Sequence, residues 1–230
     1  HLPYTPAATS LLNGVVTTVS GALNELSHQS TGSTRVGFLQ AGAGAVQRTV
    51  QSKLRDVVSV KDFGAVGDGV ADDTVAIQAA INYCTSLSNR KQTLYFPANN
   101  AGAYYKITST LTINGRLNIV GDGEFSTIIY ADGFSAGQYI LDFDNLAGSG
   151  IEFGGVQQIT IRGSNTNANG VRLKNASYWT FKNVQLRTLT VGIYITGTRC
   201  FSNFFEQVSG YAISSYTVQF DSFTGGGQYE

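Results

Sequence analysis

The feature that most restricts how this chain can fold is a repeat in its C-terminal half. QQITIRG around Ile159, YWTFKNV around Phe181 and NFFEQVS around Phe205 recur at spacings of 22 and 24 residues. GVRLKN at Val171 and VGIYIT at Ile193 recur at 22, and YAISSYTVQF near Ser215 is a looser echo. A period of about 20–25 residues with two or three short β segments per turn marks a solenoid, in which each coil buries its inward face only by stacking on the next. Leucine-rich repeats share that length but need regularly placed leucines, which these segments lack. The expectation is an all-β parallel solenoid over 107–230.

Composition agrees with a β-rich chain. There are 27 Gly, 12 Tyr, 13 Phe and no Met, and 13% of residues are charged, against roughly a quarter in an ordinary soluble domain. Fifteen basic and fifteen acidic residues cancel, which argues against electrostatic capture of nucleic acid or of an anionic membrane. No apolar run approaches the roughly 20 residues of a membrane span, and the N-terminus lacks a basic-then-apolar signal pattern. Without a Met, and ending on GGGQYE, the sequence reads as a fragment of a longer frame. Cys84 and Cys200 are too few for a disulfide framework. They are expected to be free thiols in a protein assembled in a reducing cytoplasm.

Ahead of the repeats lie three segments. In 1–30, Leu12, Val16, Val19, Leu23 and Leu26 are spaced 4, 3, 4, 3, the seam of a coiled coil. Gly14 and Gly21 weaken it by about 1 kcal/mol each relative to Ala, so a self-associating neck fits better than a lone helix. A surface amphipathic helix is the alternative. In 31–57, STGST reads as linker, and Val46, Val50, Leu54 and Val57 form an apolar stripe on a short helix with Arg48, Lys53 and Arg55 on its wet side. The GAGAG run lacks the Lys-Ser/Thr ending of a phosphate loop. In 58–106, Val58 and Val60 alternate with polar residues, and glycines at 64, 67 and 69 make a tight loop. Asp72 or Asp73 is the expected N-cap of a helix burying Ile77, Ala80, Ile81, Cys84 and Leu87. Strands are expected at 93–96 and from about Lys106.

The stretch VKDFGAVGDGVADDTVAIQAAI, followed by LYFPAN and YYKITSTLTI, resembles the opening of the pectate-lyase-like β-helix superfamily. FLQAGAGAVQRTVQSKLRDVVSVKDFGA looks more specifically like phage tail proteins. The resemblance covers roughly 36–120, and the repeats extend it to about 225. It implies a right-handed parallel β-helix with an N-terminal helical neck and a capping α-helix, a homotrimer, and a place in the phage tail beside other virion proteins. It also implies host surface polysaccharide as the partner and assembly in the host cytoplasm. No cofactor and no metal are implied. A Ca²⁺ site from Asp62, Asp68, Asp72 and Asp73 is the minor alternative.

Chemistry on such a scaffold would sit on outward side chains. Equivalent positions on adjacent coils lie about 4.8 Å apart and i, i+2 positions about 6.5–7 Å apart, near the carboxylate separations of glycosidases. Asp142 and Asp144 in YILDFDN share an outward face, with Leu141 and Phe143 inward. Glu206, with Glu152 and Asp221, completes the acidic candidates, although outward polar residues are also what solubility demands. Tyr178, Trp179 and Tyr194, with Phe201 and Tyr211, are candidate rings for stacking on sugars. One of Tyr178 and Trp179 must be core, because neighbours on a strand point opposite ways. Asn183 and Asn203 suit a turn ladder. His1 and His28 are poorly placed for a general base. The function expected is host attachment, with depolymerisation by hydrolysis or β-elimination in the whole protein. A non-enzymatic tail adaptor or fibre, a secreted pectinase and a surface adhesin are the alternatives.

Overall fold

The structure, a computed structural model, describes residue 23 and residues 32–86, 92–100, 102–144, 151–198 and 200–221. Of the neck positions only Leu23 falls among them, helical and 60% exposed. Leu12, Val16, Val19 and Leu26 lie outside the described residues, as does Leu87. The chain divides into two compact units, His1–Val57 and Val58–Glu230.

In the first unit, β1 (Gly37–Phe38) pairs antiparallel with β2 (Arg48–Thr49). One helical turn, Gly32–Arg35, forms where composition predicts linker. The helix expected from the apolar stripe spans only Val50–Leu54. Arg48 is spent in the strand pair, and Thr49 opens the helix by accepting a 3.0 Å hydrogen bond from the Ser52 amide. The stripe is not a buried face, since Val46, Leu54 and Val57 are all exposed. Arg48 crosses this turn to donate to both oxygens of Asp56 at 2.8 and 2.6 Å, and Lys53 adds a third bond at 3.2 Å. The Arg48 hydrogen bond, then that of Lys53, hold the Asp56 carboxyl down at about 2. A depressed acid contributes stability that is complete above the ordinary value of 3.8 and fades as pH falls toward 2. The Asp56 carboxyl carbon is therefore expected to titrate near pH 2 by NMR; a midpoint near 3.8 would mean the pair does not form in solution.

The second unit is a coil. Its strands are β3 (Val58–Ser59), β4 (Gln92–Phe96), β5 (Tyr105–Ile107), β6 (Leu111–Ile113), β7 (Leu117–Gly121) and β8 (Ile128–Ala131). Then follow β9 (Tyr139–Asp144), β10 (Ile151–Gly163), β11 (Asn169–Lys174), β12 (Ala176–Thr196) and β13 (Phe204–Phe220). They form one curled 11-stranded sheet, every pair parallel, with three faces. Face A stacks Leu94, Ile119, Val156, Phe181 and Phe205. Face B stacks Tyr105, Ile129, Ile161, Leu186 and Gly210. Face C stacks Leu111, Leu141, Val171, Ile193 and Val218. All of these up to β12 are fully buried, each inward aliphatic or aromatic contributing about 1.5–3 kcal/mol. The alternation that puts them inward puts their neighbours outward.

The spacings of 24 for Phe181–Phe205 and 22 for Val171–Ile193 are true registers. The spacing of 22 for Ile159–Phe181 is not. Ile159 pairs with Val184, and Phe181 pairs with Val156. Val156 and Ile159 both point inward although three residues apart, an offset that on a plain strand would put them on opposite sides. Gln158 between them has φ of 55° and turns the chain through a corner. Asn183 and Gln207 occupy the same corner on the next two coils at 53° and 52°, and Thr188 and Ala212 the following one at 54° and 53°. The turn ladder at Asn183 is thus completed by Gln158 and Gln207, not by Asn203. Asn203 instead accepts from the Trp179 amide and donates to the Ala176 carbonyl. Coils approach so closely that a Cβ added to Gly170 would overlap the Gly192 carbonyl oxygen, and one added to Gly192 that of Thr217.

The helix Thr74–Ser86 buries Ile77, Ala80, Ile81 and Cys84 and exchanges two 2.9 Å bonds between the Gln78 amide and the Thr112 backbone. The two aspartates before it divide the work. Asp73 takes the N-cap position, its carbonyl accepting from Ile77 N at 2.9 Å. Its carboxylate, however, accepts the amides of Val66 and Gly67 at 2.6 and 3.0 Å. Burial pushes the Asp73 carboxyl up despite these amides. Asp72 accepts from Thr74 N and from the hydroxyls of Thr74 and Thr108. Asp62 closes a capping box with Ser59, and Asp68 accepts the amides of Val70 and Ala71. The four carboxylates considered for Ca²⁺ thus hold separate turns. Among the described residues no three His, Cys, Asp or Glu are grouped to hold a metal, and no helix is long and apolar enough to cross a membrane. Cys84 and Cys200 are free and buried, and burial raises both thiols, Cys84 to about 11.

Candidate functional site

The outward rows of the three faces are where this scaffold can meet a ligand. On face C, register sets Thr112, Asp142, Arg172, Tyr194 and Gln219 in one row, with Asp144, Lys174 and Thr196 two residues on. Arg172 grips Asp142 with Nε to Oδ1 at 2.7 Å and a terminal nitrogen to Oδ2 at 2.6 Å. Lys174 reaches Asp144 at 3.0 Å, with Arg172 at 3.5 Å from the same oxygen. These hydrogen bonds and the nearby carboxylates raise the Arg172 guanidinium above its ordinary value, against the opposing effect of burial. Tyr194 stacks on Tyr139 with centroids 6.1 Å apart and donates to Asp221 at 2.9 Å, and Thr196 donates to the same oxygen at 3.0 Å.

So Asp142 and Asp144 do share a face, but they are joined to cations of the next coil. Both oxygens of Asp142 are occupied, and Asp144 is only 6% exposed. This arrangement holds two coils in register and leaves little carboxylate surface for a substrate proton. Replacing Asp142 by Asn is expected to lower stability by about 1–3 kcal/mol, the range for a charged hydrogen-bonded partner with limited exposure, as read by chemical denaturation. An unchanged midpoint would remove the ladder's structural role. Glu206 pairs with Lys182 at 2.9 Å, both around two-fifths exposed, a pair worth little to stability. The side chain of Glu152 lies outside the described residues.

The aromatic candidates separate cleanly. Trp179 is core, fully buried with its ring 4.4 Å from Phe143, so it offers no surface to a sugar. Tyr178 is 40% exposed, stacked on Phe153 at 4.8 Å with an interplanar angle of 8°, and met edge-on by Phe201 at 5.4 Å. Arg116 lies 5.7 Å over the Phe153 ring. Phe153, Tyr178 and Ser202 hold a corner at φ of 63°, 59° and 54°. The bends of successive coils thereby align exposed rings into a column along the coil axis. Phe153 was not legible as a member because its partner Tyr178 lies 25 residues on, a spacing the sequence alignment missed at this coil.

Face B carries a row the sequence did not flag: Lys106, Tyr130, Arg162, Arg187 and Tyr211 in direct register. Arg162 lies 5.2 Å over the Tyr130 ring and Arg187 5.4 Å over Tyr211. The available signal was the basic residue recurring at 25 in TIRG and QLRT.

Comparison with known proteins agrees with this geometry. A family model described as rhamnogalacturonase A/epimerase, pectate lyase-like, matches residues 57–149. The tail spike protein of Shigella phage Sf6 is 30% identical over 175 residues, covering 72% of this chain and 27% of that protein. The mannuronan C5-epimerase AlgE2 of Azotobacter vinelandii is 45% identical over 74 residues, 31% of this chain and 7% of that enzyme. Among solved structures, the tailspike protein of E. coli bacteriophage HK620 in complex with pentasaccharide superposes with a TM-score of 0.65 at 18% identity, covering 85% of this chain and 38% of that one. The chain thus spans about a quarter of the length of the Sf6 protein.

Proposed function

The chain carries a pectate-lyase-like parallel β-helix of the phage tail spike kind, and from that premise we propose that it serves host attachment by binding a bacterial surface polysaccharide along its outer faces. The observation that carries this reading is the similarity to a phage tail spike across 72% of the chain. The exposed column of Phe153, Tyr178 and Phe201 supports it, because sugar rings stack on aromatic faces that keep one side wet. In this proposal the segment around Leu12 to Leu26 brings three copies together, and the first unit joins other virion proteins. The helix Thr74–Ser86 covers the edge of the first coil, shielding strand groups that would otherwise recruit other chains. Within this stretch the role is binding and scaffold, supported by the pairing of Asp142 and Asp144 to Arg172 and Lys174. Cleavage by hydrolysis or β-elimination then belongs to other parts of the whole protein.

The test is retention of the purified chain on a panel of bacterial O-antigens and capsules, with pectin and alginate alongside. Retention on at least one bacterial polysaccharide, weakened by Tyr178→Ala, is expected. Turnover of pectin with release of unsaturated uronates would favour the secreted pectinase reading. Retention on none of the panel would favour a tail adaptor.

A further inference from the structure

Arg162 and Arg187 are register partners on successive coils, which puts their Cα atoms about 4.8 Å apart. Like charges directly opposite one another on a sheet are destabilising. The rest of the molecule pairs such charges: Arg172 with Asp142, Lys174 with Asp144, Lys182 with Glu206, Arg48 with Asp56. Among the described residues neither Arg162 nor Arg187 has a carboxylate partner, and no protein acceptor takes their N–H groups. What each has is a tyrosine ring, Tyr130 beneath Arg162 and Tyr211 beside Arg187. Stacking restrains a guanidinium through its flat face while leaving its fork of donors unspent. The outward row two residues earlier, Thr160, Gln185 and Ser209, adds neutral hydrogen-bonding groups and no negative charge.

We propose that this Tyr130–Arg162–Arg187–Tyr211 row is a subsite for an acidic saccharide, the two guanidiniums sharing one anionic group between adjacent coils. The inference rests on the polysaccharide-binding reading above and names the class of sugar. A carboxylate or sulfate presents two or three oxygens, enough to accept from both forks at once, and its charge relieves the repulsion between the coils. The tyrosines at each end offer flanking rings to the neighbouring sugars. A neutral glycan would leave the two charges uncompensated.

The experiment measures binding of alginate oligosaccharides, dextran sulfate and unmodified dextran to the chain and to Arg162→Gln/Arg187→Gln, at low and at high salt. The expected result is binding of one or both anionic probes, weakened by salt, with no binding of dextran. The double variant should bind the anionic probe about tenfold more weakly or worse, one order of magnitude being the least that losing two charge-assisted contacts implies. Which anionic probe binds distinguishes carboxylate from sulfate. Removing two opposed like charges should leave the melting temperature unchanged or raised. Should that variant misfold, Arg162→Lys/Arg187→Lys keeps the charge, loses the planar fork, and should bind with intermediate strength. Equal binding of the anionic probe by wild type and double variant overturns the proposal, as does no binding of either anionic probe. A variant that lowers the oligomeric mass while keeping anion binding overturns it too, by assigning the row to a second copy of the chain. Retention on a neutral bacterial polysaccharide with none of the anionic probes bound would sink this subsite and leave the attachment reading standing.

Discussion

Replacing Trp179 by Ala is expected to cost about 3–5 kcal/mol, the range for emptying a large aromatic site that the surroundings cannot refill. The indole is fully buried and is set into the stack by two neighbours. Its register partner on the preceding coil is Gly154, and a Cβ built there would fall within the ring. The missing side chain at Gly154 is thus the space the indole fills. Phe143 closes the other side at 4.4 Å. Trp179→Phe should recover roughly half the loss, since an aromatic ring still occupies the site. As this is the sole tryptophan, unfolding is followed by far-UV circular dichroism rather than indole fluorescence. A cost below about 1 kcal/mol would be that of an exposed or repackable ring, and the inward stacking on face A would have to be abandoned.

The second large effect is at Asp73. Its side chain is the acceptor for two amides of the loop between Phe63 and Asp72, while its backbone is tied to Ile77 and to the Lys106 carbonyl. Asp73→Ala leaves the Val66 and Gly67 amides without that acceptor, at about 1–3 kcal/mol for each buried group, so roughly 2–5 kcal/mol together. Gly67 cannot move out to solvent freely. It sits at φ of 69°, where a Cβ would strike Asn99 and Tyr105, and its carbonyl accepts from Asn99. Hydrogen exchange provides the specific readout, because Val66 and Gly67 amides should lose protection in the variant while those of β9 and β11 keep theirs. Unchanged protection at both amides would show that the loop is held by something other than this carboxylate.

The fold was legible in the sequence where inward residues recur along a plain strand. Leu141 and Phe143, or Val171 and Ile193, announce their face by alternation, and the buried stripe Ile77, Ala80, Ile81 and Cys84 announces the helix. The corners were not legible. Gln158, Thr188 and Ala212 adopt positive φ without being glycine or asparagine, held there by the coils above and below rather than by their own preference. Because those corners reset which side chain points inward, the alignment of Ile159 with Phe181 looked as good as the true pairing of Val156 with Phe181. The stripe from Val46 to Val57 failed for the opposite reason. Its period is helical, but strand pairing at Arg48 and the cap at Thr49 start the helix late.

The candidate site followed the same division. That Asp142 and Asp144 face outward was readable from two residues on either side. That Arg172 and Lys174, 30 residues on, sit above them was not, since a register across coils of unequal length cannot be counted locally. The same holds for Phe153 beneath Tyr178 and for Arg162 beneath Arg187.

The parallel register between coils underlies every one of these placements, and paired cysteines test it directly. Lys182 is opposite Glu206 and Gln185 opposite Ser209, each about 4.8 Å apart at Cα and within the 4.4–6.8 Å or so that a disulfide spans. Under mild oxidation, with bonds mapped by mass spectrometry, Lys182→Cys/Glu206→Cys and Gln185→Cys/Ser209→Cys should both close. Antiparallel neighbours joined at 182 and 206 would instead bring Gln185 to Asn203. Closure of Gln185→Cys/Asn203→Cys in place of Gln185→Cys/Ser209→Cys would contradict the coil.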